Sequence, residues 1–104
     1  MTLVNELELP RGVDGNEAAD EFIRFWIDDR DEYVSLRVGS LGENEPNQWG
    51  MMLADLSLHI INALKQNGST DTDDALRLQL EQGYVGRLKA KNASISGSLL
   101  GVKQ

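Results

Sequence analysis

The sequence predicts an α+β fold: an antiparallel β-hairpin, with a third short N-terminal strand as an option, followed by two helices packed on one sheet face. Three observations predict it. The stretch FIRFWIDDRDEYVSLRV (22–38) alternates with a period of two and is dominated by β-branched and aromatic residues around an acidic turn. Residues 46–66 repeat apolar side chains three and four apart behind a proline. Residues 73–91 repeat leucines four apart between an acidic first turn and a basic last turn.

Each element follows in order. Residues 1–20 read as an N-terminal arm. Leu3, Leu7 and Leu9 share one parity before Pro10, which allows a short strand, and RGVDGNEAAD (11–20) then reads as a loop. Residues 21–91 form the single ββαα domain. In its hairpin, Ile23, Phe25, Ile27, Val34, Leu36 and Val38 share one face; Phe22, Arg24, Trp26, Tyr33, Ser35 and Arg37 share the other. DDRDE (28–32) is the turn, and without an Asn-Gly or Asp-Gly pair its type stays open. Two registers keep the same faces. Pairing Ile27 with Val34 sets Arg24 opposite Arg37, a like-charge contact; sliding by two pairs Trp26 with Tyr33 and separates the arginines.

GSLGENEPNQ (39–48) is a loop that ends in a helix start, with Pro46 in the first turn. Helix one spans 46–66 and stops at Asn67-Gly68. STDTDD (69–74) supplies caps for helix two, which spans 73–91 and is weakened by Gly83 and Gly86. Residues 92–104, rich in Ser and Gly, read as a flexible tail.

Composition narrows the function classes. A chain of 104 residues with 40% hydrophobic residues suits one folded domain. The absence of cysteine removes disulfides, thiolate zinc sites and thiol catalysis, and fits a reducing compartment. The N-terminal segment lacks the basic start and apolar run of a signal peptide, and no apolar stretch reaches bilayer length, so the expectation is a cytoplasmic protein without a membrane partner. The net charge of −7 is uneven: 12 acidic and 4 basic residues lie within 1–47, 5 acidic and 6 basic beyond. Such a balance opposes nucleic-acid binding. Arg24, Trp26, Tyr33 and Arg37 on one sheet face do resemble a base-stacking platform, but the strand count and the motif words are wrong for one.

Helix one carries the main functional signal. Spaced about 100° apart, Trp49, Met52, Leu53, Leu56, Ile60, Ala63 and Leu64 form one apolar stripe, and Met51, Ala54, Leu58 and Ile61 a second. Two stripes need cover on two sides. The Ile23/Phe25/Ile27 face and the Leu76, Leu80, Tyr84, Leu88 line of helix two can supply it. That leaves the Phe22, Arg24, Trp26, Tyr33 and Arg37 face without cover, and a two-stranded sheet is marginal alone. The expectation is a homodimeric, non-enzymatic binding or assembly module using that face. Cover by the N-terminal arm is the competing reading.

The alternative is a small ligand-binding protein or enzyme using Asp55 and His59 in a cleft beside helix one. These residues lie four apart in a polar seam with Asn62 and Gln66, so a carboxylate could orient the imidazole. No nucleophile or second acid accompanies them, and a structural pair or solvated seam explains them more simply. No cofactor is implied, and no small-molecule ligand can be named. DTDD (71–74) fails as a calcium loop, since Leu76 stands at the glycine position and Gln82 at the terminal glutamate position. DDRDE could gather a cation only loosely, and no phosphate-binding glycine loop is present.

The ordered words Arg24-x-Trp26, VSLR (34–37), Pro46, Trp49-Gly50 and Leu53-x-Asp55-Leu56-x-x-His59 resemble a small bacterial family, domain of unknown function 5076. The resemblance covers about residues 20–90. It implies a shared fold and brings no activity with it. The glycine-containing second helix and the Ser/Gly tail depart from the family pattern.

Overall fold

The computed structural model describes residues 5–90. The order of elements is β1 (Ile23–Ile27), β2 (Glu32–Leu36), α1 (Glu45–Gln66) and α2 (Asp73–Ala90). This is an antiparallel hairpin followed by two helices, an α+β order. Two compact units divide the chain between Arg37 and Val38. Lys91 and residues 92–104, where the sequence suggests the end of helix two and a flexible tail, lie outside the described residues.

In the first unit the hairpin takes the register that pairs Trp26 with Tyr33, Phe25 with Val34 and Ile23 with Leu36. Arg24 faces Ser35. The ladder runs one step further, the Arg37 N–H donating to the Phe22 carbonyl at 3.0 Å. Arg37 therefore lies opposite an aromatic ring rather than a second arginine, and its guanidinium sits 5.9 Å from the Phe22 centroid. Repulsion is exchanged for cation–π attraction and an aromatic cross-strand pair.

The turn is built by one side chain. The Asp28 N–H donates to the Asp31 carbonyl at 3.0 Å. Asp28 Oδ1 accepts from the N–H groups of Arg30 and Asp31, both at 2.8 Å. This carboxylate does the work that an Asn-Gly turn would do through backbone conformation.

The optional third strand is absent among the described residues. Residues 5–9 join no sheet, and Leu7 and Leu9 are exposed. Pro10 cannot extend a ladder, and the chain after it folds into successive turns, with Val13, Asn16 and Ala19 donating to the carbonyls of Pro10, Val13 and Asn16. Three alternating leucines gave the right parity, but turn formers on one side and a proline at the end leave too short a run to pair.

In the second unit α1 begins at Glu45, one residue before the expected start, with Pro46 in its first turn. It ends at Gln66; the N–H of the capping Asn67 donates to the Ala63 carbonyl, and Gly68 then takes the left-handed φ of +104°. Thr72 Oγ1 caps α2 by accepting from the Ala75 N–H at 3.1 Å. An ion pair between Lys65 and Asp73 ties the end of α1 to the start of α2. The two helices pack on each other. Ile61 and Leu76, 5% and 8% exposed, are the only buried apolar side chains among the described residues. Helix α2 runs unbroken through Gly83 and Gly86, where an added Cβ would meet nothing within 4 Å.

The cover expected for α1 is incomplete. Of its second stripe Ile61 is buried, whereas Met51 and Leu58 are exposed. Of its first stripe Trp49 and Met52 are half-buried, whereas Leu53, Leu56, Ile60 and Leu64 are exposed. In the hairpin, Phe25 and Ile27, on the face the sequence assigns to the core, are 54% and 70% exposed.

Candidate functional site

The hairpin face begins with alternation: β1 and β2 place Arg24, Trp26, Tyr33 and Ser35 on one side, and the next ladder pair adds Phe22 and Arg37. Its two arginines and its tyrosine are held by hydrogen bonds. Arg24 Nε donates to Glu21 Oε1 at 2.8 Å, and its terminal nitrogen donates to Glu6 Oε2 at 3.1 Å. These carboxylates, Glu21 first, push the guanidinium's affinity for its proton further up. Arg37 Nε donates to the Glu21 carbonyl at 3.0 Å. The Tyr33 hydroxyl donates to Asp28 Oδ2 at 2.8 Å.

The N-terminal arm matters here. Residues 5–10 run beside β1 and enclose with it a cleft of about 560 Å³, lined also by Ile23 to Ile27. Trp26 is half-buried, while Tyr33 stays exposed. Cover by this arm was the competing expectation, and an ion pair of 3.1 Å joins its Glu6 to Arg24 of β1.

Asp28 shapes the electrostatics of the tip. Its carboxyl is held below its ordinary value by the Arg30 N–H first, then by Asp31 and Tyr33. The same bond pushes the Tyr33 phenol up. Tyr33→Phe is expected to remove that bond and bring the Asp28 titration closer to an ordinary aspartate, with the hairpin retained. Carbon-detected NMR titration of Asp28 in both proteins checks this; an unchanged Asp28 curve would remove the phenol from the turn.

Asp55 and His59 lie on α1 as the spacing requires, but both are exposed, and neither has a hydrogen bond or ion pair among the described residues. The groove between α1 and α2 holds about 510 Å³ and is lined by apolar residues such as Leu53, Leu56, Ile60, Leu80 and Tyr84; neither Asp55 nor His59 lines it. Among the described residues no group of three or more His, Cys, Asp or Glu could hold a metal ion. None of their helices is long and apolar enough to cross a membrane.

Sequence reasoning missed one organised polar cluster. Glu45, 9% exposed, accepts from the Gly39 N–H at 3.0 Å, the Leu41 N–H at 3.2 Å and Trp49 Nε1 at 2.8 Å. Gly39 and Gly42 make this possible by taking φ of +100° and +86°, which curls the loop back over the helix start. The i,i+4 spacing of Glu45 and Trp49 was the available signal.

Fold and site together define a small α+β protein with an aromatic and arginine sheet face and no assembled catalytic constellation among the described residues. The chain belongs to the family Domain of unknown function (DUF5076), whose model matches residues 6–92. A solved structure from the photosynthetic bacterium Rhodopseudomonas palustrus CGA009, provisionally named a pyruvate dehydrogenase, is similar with a TM-score of 0.65. That similarity covers 85% of this chain and 86% of the other at 24% identity, and it shows the fold alone. No curated protein matches the sequence.

Proposed function

We propose that this chain is a non-enzymatic, homodimeric binding or assembly module of the cytoplasm, and that Phe22, Arg24, Trp26, Tyr33 and Arg37 form its contact face. One observation carries the proposal: among the described residues only Ile61 and Leu76 are buried apolar side chains, while sixteen large apolar ones are exposed. Isolated exposed apolar residues are ordinary, but continuous ones mark interaction surfaces. The sheet face adds the residue types that dominate binding energy, Trp, Tyr and Arg, with Arg24, Tyr33 and Arg37 already fixed by their own chain. Fixed side chains lose little entropy on binding.

The alternative, ligand binding or catalysis through Asp55 and His59, has less support, because both are exposed and neither lines the groove beside α1. Trp26→Glu is expected to weaken self-association at least tenfold while far-UV circular dichroism stays unchanged. Sedimentation velocity of both proteins checks this. Equal association would take the sheet face out of the contact.

A further inference from the structure

We propose that the α1–α2 face is a second self-contact surface, occupied by the same face of another copy of this chain. This rests on the assembly reading above and adds a location that the sheet face does not include. The observation is a continuous line of half-exposed side chains on both helices. Leu53, Leu56, Ile60 and Leu64 of α1 are 40%, 45%, 42% and 43% exposed; Tyr84 and Leu88 of α2 are 52% and 51% exposed. Four of the six, with Leu80, line or flank the groove between the helices.

Area selects the occupant. Six side chains at about half exposure offer on the order of 500 Å², and the apolar part of a standard interface, about 65% of about 800 Å² per partner, is nearly the same. Charge supports a copy of the chain over another protein. Arg77 and Glu81 lie together on the α2 side of the groove, one turn apart. Arg77 already pairs with Asp74 on its own helix at 2.9 Å, and a two-fold axis that sets Arg77 of each copy near Glu81 of the other adds a second carboxylate to that guanidinium. The helices of two such pairs would then pack as a four-helix layer at the shallow crossing angle such bundles use.

The test uses the full chain in five forms: wild type, Leu56→Glu, Trp26→Glu, Glu81→Arg and Arg77→Glu/Glu81→Arg. Leu56 is 45% exposed, unlike the buried Ile61 and Leu76, so its variant is expected to keep the helical fold, and circular dichroism checks this. Sedimentation velocity is expected to show association weakened at least tenfold by Leu56→Glu, weakened by Glu81→Arg, and restored by the charge swap. Association lost with Trp26→Glu but kept with Leu56→Glu overturns this surface and leaves the sheet-face reading standing. Association lost with Leu56→Glu but kept with Trp26→Glu supports this surface and overturns the sheet face. A monomeric wild type overturns both. Failure of the charge swap to restore what Glu81→Arg removes overturns the two-fold pairing.

Discussion

Ile61→Ala is expected to destabilise the helical unit by about 3 kcal/mol. Ile61 is 5% exposed and is, with Leu76, one of the two buried apolar side chains among the described residues. Truncation removes the transfer free energy of three carbons and leaves a void where one of the two buried apolar side chains stood. A small core amplifies the effect, because the loss is a large share of a marginal total. Leu58→Ala, one turn away on the same stripe but exposed, serves as the comparison and is expected to change stability by about 0.5 kcal/mol or less. Urea denaturation followed by helical signal, at one protein concentration, separates the two, since linked association makes stability concentration-dependent. Equal losses would mean that α1 does not pack on α2 through Ile61.

Glu45→Ala is expected to lower the thermal midpoint by about 10 °C or more. The substitution leaves the Gly39 and Leu41 N–H groups and the Trp49 indole N–H without their shared acceptor. A charged acceptor with three donors cannot be replaced by a water where the carboxylate stood without reordering the loop. Glu45→Gln keeps one acceptor oxygen but turns an NH2 toward donors, so it falls between. The pH dependence follows from the same bonds. The Trp49 indole first, then the Gly39 and Leu41 N–H groups, hold the Glu45 carboxyl below its ordinary 4.5. A folded value below the unfolded one means stability is full above 4.5 and is lost as pH falls through the lower, folded value. Asp28 adds a slope of the same sign beneath its ordinary 3.8. Melts of wild type and Glu45→Ala from about pH 6 down to about pH 3 check this, with the expectation that the variant loses less stability across the range. Parallel curves would exclude Glu45 as an acid-sensitive fastening.

The hairpin was legible because alternation and β-branched residues act locally, and both faces could be written down residue by residue. Its register stayed open between two pairings, and the structure takes the one that separates Arg24 from Arg37. Helix ends were legible from Pro46, Asn67-Gly68 and the Thr72 cap, since caps are local chemistry too. What failed was longer in range. Alternating leucines before Pro10 suggested a strand, but strand formation depends on a partner edge that the pattern cannot show. The Glu45 clasp depends on two left-handed glycines returning the loop to the helix start, a geometry invisible in a string of letters. Asp28 is one of three aspartates in its turn, and only backbone direction singles it out. The Asp55–His59 pair had the right spacing, and the structure leaves both side chains in solvent.

The central claim is that one copy of this chain leaves too much apolar surface open and a second copy covers it. Sedimentation equilibrium of the full chain over a micromolar concentration series tests that most directly. The expected result is a mass of two chains that falls toward one on dilution. A single-chain mass at every concentration would contradict it.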